Sequence, residues 1–280
     1  MGEIPLVFGC EGEQLFGIAH EADCSIGVVI VVGGPQYRVG SHRQFVVLAR
    51  AIAAQGFPVF RFDCRGMGDS TGKFPGFENL DSDIGAAIDA FQSTCTSVTR
   101  VVLWGLCDGA TASAFYGATD DRVVGLCLAN PWVHTEQGRS DTLVRHYYAS
   151  RFIDPSFWRA MLSGRVGVLQ SLRGFLGHAR KSVSLQAGGA DLPTRLFDSL
   201  GRFQRGVLLI LSPLDLTASE FIDAAQKERT RAELLSANRV KTVRLVDADH
   251  TFSSQAWMSQ VIQSTLDWLK SVAAPDPRAG

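Results

Sequence analysis

The stretch WGLCDGA, residues 104–110, places a cysteine between two glycines, where an apolar run meets an alanine-rich segment. The run RVVLWGLCDG (100–109) is typical of a strand and its turn, and ATASAFYGA (110–118) is typical of a helix. A sharp strand-to-helix turn strains its central residue, and flanking glycines let the two elements approach. We predict that Cys107 projects from the carboxyl edge of a sheet, beside a helix N-terminus that favours a thiolate. A small buried cysteine in a glycine turn is the alternative.

Apolar runs alternate with helix-like segments along most of the chain. The runs are apolar throughout, which is typical of strands covered on both faces of a parallel sheet. Beside 100–109, they occupy residues 25–34, 57–66, 122–131, 205–215 and 240–250. The helix-like segments are residues 41–56, 79–93, 110–118, 219–234 and 254–272. This alternation predicts an α/β fold with a mostly parallel sheet, and residues 5–22 predict an antiparallel hairpin at its edge.

Residues 132–204 interrupt the alternation, because they contain helix-like stretches but no convincing strand. We therefore predict a core formed by residues 1–131 and 205–280. The intervening 132–204 are predicted to form a helical lid inserted over the sheet.

A reactive cysteine needs a base, and His250 is the best candidate among six histidines. It lies in VDADHTFS, just after the last strand-like run and before the last helix-like segment. The other five lie in the predicted hairpin, at a helix start or in the predicted lid. Only His250 therefore fits the chain order of nucleophile, acid and histidine; an exposed loop histidine is the alternative.

Asp215, in LSPLDLTASEF, is the candidate acid that orients this histidine. It follows the fifth apolar run and lies between Cys107 and His250 in the chain. Its carboxylate would fix the imidazole tautomer and stabilise the imidazolium. The alternative is an N-cap for the helix beginning near Thr217, and Asp247 and Asp249 are expected to shape the loop.

An oxyanion produced at this site needs two N–H donors. The turn supplies the N–H of Asp108, and the second donor is expected from VVGGPQYRVGSH after the first long strand. Pro35 has no N–H, so the donor is Gly34 or Gln36, with Gln36 preferred. A plain glycine turn is the alternative.

The composition is that of an ordinary globular protein, with 280 residues, a net charge of −1 and 46% hydrophobic residues. Near-neutral net charge gives no case for a nucleic-acid partner, which usually needs a basic face. The six cysteines are scattered without a CxxC pair, so we expect no metal, no disulfide framework and no cofactor. The longest apolar run, residues 26–34, is far too short to span a membrane, and no signal peptide is visible. We expect a cytoplasmic protein without membrane insertion.

The pieces GGPQ, FRFDCRGMGDSTG, GLCDG, SPLDLTASEF and DADHTF, in that order, resemble the α/β-hydrolase superfamily over essentially the whole chain. The resemblance implies an α/β-hydrolase fold with an eight-stranded sheet, and a loop beneath the site built by Arg65, Gly66, Gly68 and Ser70. GGPQYRVGSHRQFVVLARAIAAQGFPVFRFDCRGMGDSTG and GLCDGA are more narrowly similar to hydrolases of bacterial exosortase-associated exopolysaccharide clusters. Dienelactone hydrolases resemble this chain in carrying G-x-C-x-G, so the cysteine does not by itself exclude activity.

These residues predict an acyl hydrolase or acyltransferase, of thioesterase or esterase type, with a Cys107–His250–Asp215 triad and a covalent acyl-enzyme. The thioester intermediate would be more open to amine or thiol attack than an oxyester, so transfer is as plausible as hydrolysis. Two alternatives stay open. One is a catalytically retired member that serves as a binding partner, and the other is a lactone or carbon–carbon hydrolase of a small metabolite.

The predicted lid is basic and aromatic. From Arg139 to Arg205 it carries eleven Lys and Arg residues against four Asp residues. Such a cover suits an acyl group carried on coenzyme A or on an acidic acyl carrier protein, although solvated helix faces carry similar charge. The aromatic candidates for an acyl pocket, which lid packing would equally explain, are Tyr147, Phe152 and Trp158.

Overall fold

The computed structural model describes residues 2–33, 36–133 and 190–274. Its contacts divide the chain into two compact units, residues 1–134 with 192–280 and residues 135–191. Apart from residues 190 and 191, the second unit lies outside the described residues, so the predicted lid stays a prediction. Within the described ranges, no helix combines the length and apolar character needed to cross a membrane.

Eight strands of the described chain form one sheet. They are β1 (Glu3–Cys10), β2 (Glu13–His20), β3 (Ile26–Val31), β4 (Val59–Phe62), β5 (Arg100–Leu106), β6 (Val123–Ala129), β7 (Gly206–Leu211) and β8 (Val240–Arg244). Their spatial order is β1-β2-β4-β3-β5-β6-β7-β8. The pairs β1–β2 and β2–β4 are antiparallel, and the remaining pairs are parallel. The predicted mostly parallel sheet and its N-terminal hairpin are confirmed.

Seven α-helices of the described chain flank this sheet. They are α1 (Gln44–Ala53), α2 (Asp81–Thr94), α3 (Asp108–Gly117), α4 (Leu192–Arg202), α5 (Leu216–Gln226), α6 (Arg229–Leu235) and α7 (Gln255–Ala273). The helix-like segment 219–234 is divided, because Glu228 takes an extended backbone between α5 and α6. The segment 41–56 begins as a short 3-10 turn, in which His42 and Arg43 have positive φ.

Both faces of the central strands are buried, which explains why these strands are apolar without alternation. Within β3, Val29 and Val31 join the hydrophobic cluster that contains residues of α2, α3, α4 and α5. Val28 and Ile30 join the opposite cluster, with residues of α1 and α7. Helix α4, at the end of the segment predicted as lid, contributes buried Leu196 to the first cluster.

The parallel strands bring the ends of distant sequence segments to one edge of the sheet. The loops that follow β3, β5, β6, β7 and β8 all leave from the carboxyl ends of the strands. Ligands bind beside this edge in open α/β sheets, and these loops contain Gln36, Cys107, Asn130, Asp215 and His250.

His20 connects the antiparallel hairpin to the parallel sheet. It ends β2 and is only 3% exposed. Arg61 of β4 donates its Nε–H to His20 Nε2 at 3.1 Å, and Glu3 Oε1 lies 4.0 Å from His20 Nδ1. Burial, together with the Arg61 charge, lowers the pKa of His20 to about 4, against the weaker opposing effect of Glu3.

We predict that the protein loses stability as the pH falls from 6.5 toward 4. In this range His20 binds a proton in the unfolded chain but stays neutral in the folded protein. At about pH 4.5 the loss attributable to this residue is about 2 kcal/mol. The variant His20→Gln does not titrate, yet its carbonyl oxygen still accepts from Arg61. Urea unfolding near neutral pH and at about pH 4.5 should show a smaller loss for the variant. An equal loss in both proteins would contradict the prediction.

Candidate active site

Cys107 lies at a strained bend between β5 and α3. Its backbone angles are φ 59° and ψ −125°, and it is the N-cap of the helix. A residue with a side chain rarely adopts this conformation, so the surrounding structure must hold it there. The Cys107 N–H donates to the Ala129 carbonyl at 2.9 Å, and its carbonyl accepts from the Trp132 N–H at 3.2 Å. The thiol is partly exposed rather than packed in the interior.

The glycines on either side of Cys107 are required by close backbone approach. A Cβ on Gly105 would lie 2.4 Å from the carbonyl oxygen of Gly109. A Cβ on Gly109 would lie 2.5 Å from the Val31 carbonyl oxygen and 2.9 Å from the Gly33 nitrogen. The bend is therefore packed against itself and against the loop that follows β3.

The structure brings together the three side chains that the sequence singles out as a triad. His250 Nδ1 lies 2.9 Å from Asp215 Oδ2. His250 and Cys107 line the same pocket, and the thiol contributes to the raised pKa of the imidazole. Since Nδ1 is engaged by the carboxylate, Nε2 is the ring nitrogen available to the sulfur.

The interactions of His250 with Asp215 and with Cys107 favour the protonated imidazole. The hydrogen bond to Asp215 is the largest cause, the interaction with Cys107 is next, and burial opposes both. Together they raise the pKa of His250 to about 10. Because the folded value lies above the usual 6.5, the stability that this residue contributes is fully present below pH 6.5 and is lost as the pH rises toward 10.

Asp215 makes both contacts that the sequence offered as alternatives, one as a helix N-cap and one to His250. Its Oδ2 accepts the Ala218 N–H at 3.2 Å as the N-cap of α5, and the same oxygen meets His250. Asp249 has the expected loop-shaping contacts, because its Oδ1 accepts from the backbone N–H of Thr251 at 3.1 Å and of Ser253 at 3.0 Å.

A pocket of about 280 Å³ opens beside the thiol. Its walls combine apolar side chains with the predicted polar residues, and they are Gly33, Gln36, Phe45, Leu106, Cys107, Asp108, Trp132 and His250. Asp108 and Gln36 therefore line the same pocket as the thiol, and their role as oxyanion donors stays a prediction. The other predicted candidates, Gly34, Tyr147, Phe152 and Trp158, lie outside the described residues.

The loop that carries Gln36 is anchored from below by Asp63, which follows β4 and is fully buried. Asp63 Oδ1 accepts the backbone N–H of Arg38 at 2.6 Å, and its Oδ2 pairs with the Arg38 guanidinium. The Asp63 carbonyl accepts from the hydroxyl of Ser70 at 2.8 Å. Ser70 is thus tied to the residue that anchors the Gln36 loop, whereas the guanidinium of Arg65 pairs with Asp83 and Glu11.

Asn130 is a site residue that sequence reasoning missed. It follows β6, is fully buried and has a positive φ of 41°. Its Nδ2 donates to Ser212 Oγ and to the His250 carbonyl, each at 3.3 Å, and its Oδ1 accepts the Ser212 N–H at 2.8 Å. Ser212 Oγ in turn lies 3.5 Å from the Asp249 carbonyl. Asn130 thus joins the loops of Asp215 and His250. The sequence feature that could have identified it is an asparagine at the end of a buried strand.

A larger surface cavity of about 740 Å³ lies at the opposite, amino edge of the sheet, beside Ala22, Gly56 and Cys95. It is remote from the strand ends that carry Cys107 and His250, so size does not identify the reactive site here. In the described ranges, no group of three or more His, Cys, Asp or Glu side chains is arranged to hold a metal ion.

We predict that Asn130→Ala destabilises the protein by about 1–3 kcal/mol, because it leaves the Ser212 N–H and the His250 carbonyl without partners. Asn130→Asp is the matched variant, since it keeps an acceptor for Ser212 but loses the donor to His250. Urea unfolding should rank wild type above both variants. Wild-type stability in Asn130→Ala would show that this connection is not needed.

Comparison with known proteins gives one family and several structural neighbours. Residues 25–163 match the family described as Serine aminopeptidase, S33. Protein ABHD12B of Homo sapiens is 38% identical over 104 residues, which are 34% of this chain and 27% of that protein. The chain therefore matches only about a quarter of the length of this curated relative.

Two solved structures share the fold at low sequence identity. The esterase Pf2001 of Pyrococcus furiosus has a TM-score of 0.67 at 13% identity, covering 96% of this chain and 92% of that chain. Est1E of Butyrivibrio proteoclasticus, with ferulic acid bound, has a TM-score of 0.62 at 14% identity, covering 96% of this chain and 100% of that chain. With its eight-stranded sheet and strained bend, the chain has the α/β-hydrolase fold.

Proposed function

We propose that this protein is an acyl hydrolase or acyltransferase, of thioesterase or esterase type, that works through an acyl-enzyme on Cys107. The observation that carries the proposal is the hydrogen bond from Asp215 to His250, which lines one pocket with the partly exposed Cys107 at a strained bend. The fold shared with the esterases Pf2001 and Est1E supports chemistry on ester bonds.

In the first step, the Cys107 sulfur attacks the substrate carbonyl carbon, and the thiol proton is held by His250 Nε2. The carbonyl oxygen becomes an oxyanion, which accepts hydrogen bonds from the N–H groups of Asp108 and Gln36 in this proposal. Collapse of the intermediate breaks the bond to the leaving group. His250 gives its proton to that group, and a thioester remains on Cys107.

In the second step, His250 acts as a base. Acylation removes the sulfur as a partner for the imidazole, and with it two of the contributions that raise the pKa of His250. The neutral imidazole then takes a proton from water, or from an amine, alcohol or thiol acceptor, as the acceptor attacks the thioester. The acyl product leaves and Cys107 is regenerated. Asp215 orients the ring and stabilises the imidazolium in both steps.

The proposed substrate is an acyl group, free or carried on coenzyme A or an acyl carrier protein. The excess of basic residues between 139 and 205 supports a phosphate-bearing or acidic carrier. The pocket of about 280 Å³ suits a short acyl group, since it is at the small end of ligand pockets. The narrower similarity to hydrolases of exopolysaccharide clusters stays a prediction and names no substrate.

The two alternatives differ from this proposal in what they require. A retired member that serves as a binding partner has no need of a hydrogen-bonded His250 and Asp215. A lactone or carbon–carbon hydrolase needs the same groups but acts on a different bond, so only substrate tests separate it.

We predict that incubation with p-nitrophenyl butyrate or a butyryl thioester adds one butyryl group to the protein, and that peptide mapping places it on Cys107. Cys107→Ala should lose the adduct and at least about a hundredfold in turnover, because the described residues that line the pocket include no other thiol or hydroxyl. Intact mass spectrometry and release of p-nitrophenol measure the two effects.

Cys24→Ala is the matched control for this experiment, because Cys24 is the other partly exposed cysteine. It should retain both adduct and turnover. Turnover that persists in Cys107→Ala would contradict the proposal. A wild-type protein without activity toward any ester, thioester or lactone offered would favour the catalytically retired member that serves as a binding partner.

A further inference from the structure

The peptide unit between Tyr37 and Arg38 is hydrogen-bonded at both ends. Its carbonyl oxygen accepts the Gly40 N–H at 2.8 Å, and its N–H donates to Asp63 Oδ1 at 2.6 Å. The next carbonyl along the chain, that of Arg38, accepts a hydrogen bond from Nη1 of Arg61 at 3.3 Å. Two successive peptide units are therefore held by groups that belong to β4 and to the residue that follows it.

The held peptide unit is close in the chain to the proposed oxyanion donor. Because peptide units are planar, only the φ and ψ angles of Gln36 and Tyr37 separate this unit from the Gln36 N–H. Gln36 lines the pocket that also contains Cys107 and His250. The direction of the Gln36 N–H is therefore constrained by the contacts that hold Arg38.

The side chain of Arg38 adds an ion pair to these contacts. Its guanidinium pairs with Asp63 Oδ2, and its Nη2 lies 2.6 Å from Asp69 Oδ2. Asp63 is fully buried, and the Arg38 side chain is 18% exposed.

Stability alone does not account for this pair, because replacing a buried ion pair by apolar residues is often neutral or stabilising. The pair does have a geometric effect. The fork of guanidinium donors fixes the orientation of the Asp63 carboxylate, and the same carboxylate receives the Arg38 N–H.

Resting on the proposed function, we infer that Arg38 is a positioning residue for the acylation of Cys107. Arg38 does not line the pocket, so it acts through other groups. Its guanidinium orients the Asp63 carboxylate, the carboxylate holds the peptide unit before Arg38, and this unit directs the Gln36 N–H toward the oxyanion. A donor that is displaced by about 1 Å can cost about a hundredfold in rate.

Two rates measured at the same sulfur separate this role from a general structural one. Acylation of Cys107 by a butyryl thioester, followed in a single turnover as thiol release, places charge on the carbonyl oxygen and uses the N–H donors. Alkylation of Cys107 by iodoacetamide displaces iodide from a saturated carbon, so no oxyanion forms. We expect Arg38→Met to lower the acylation rate by about 10- to 100-fold and to leave the alkylation rate within about twofold.

Two further variants complete the experiment. Arg38→Lys keeps a positive charge beside Asp63 but cannot form the fork, so we expect a smaller fall in acylation; this variant carries the test if Arg38→Met does not fold. Arg122→Met is the matched control, because it removes a guanidinium that pairs with Asp120 at 2.7 Å near the amino end of β6. Both rates should stay close to wild type in this control.

The outcomes for Arg38 and for the acyl-enzyme are distinguishable. Wild-type acylation rates in the Arg38 variants would overturn the inference. Equal falls in acylation and alkylation would also overturn it, because Arg38 would then support the whole site rather than the donor. A wild-type protein that iodoacetamide alkylates at Cys107 but that no thioester acylates would instead contradict the proposed function.

Discussion

The hydrogen bond between His250 Nδ1 and Asp215 Oδ2 is the contact on which the site depends, because it joins two loops that are 35 residues apart in the chain. The same carboxylate oxygen caps α5, so the acid that orients the imidazole is itself fixed by a helix start. Asn130 reinforces the connection through Ser212 and the His250 carbonyl. The imidazole is thereby held toward the sulfur with its protonated form favoured.

The second constraint is steric. The strained backbone conformation of Cys107 is maintained by close packing around it. Gly105 and Gly109 approach each other without side chains, and the loop after β3 packs directly on Gly109. Asp63 then holds the continuation of that loop through Arg38. The thiol, the helix N-terminus and the expected oxyanion donors are consequently parts of one packed unit at the carboxyl edge of the sheet.

Much of this arrangement could be predicted from the sequence, because each part has a local cause. Close backbone approach requires the glycines of G-x-C-x-G, and burial on both faces of the sheet requires the apolar runs. Asp215 and His250 can be identified by their positions after β7 and β8. The role of Asn130 could not be predicted, since it depends on contacts between loops that only the folded sheet brings together. The division between α5 and α6 rests on one extended residue, Glu228, within a continuous helix-like pattern.

The proton affinity of His250 tests the central claim most directly. A titration of its ring protons by NMR, assigned with His250→Gln, should give a midpoint near pH 10 in the wild type. Asp215→Asn should move that midpoint down toward 6.5, because the largest favourable contribution is removed. A wild-type midpoint close to 6.5, or one that Asp215→Asn leaves unchanged, would contradict the account.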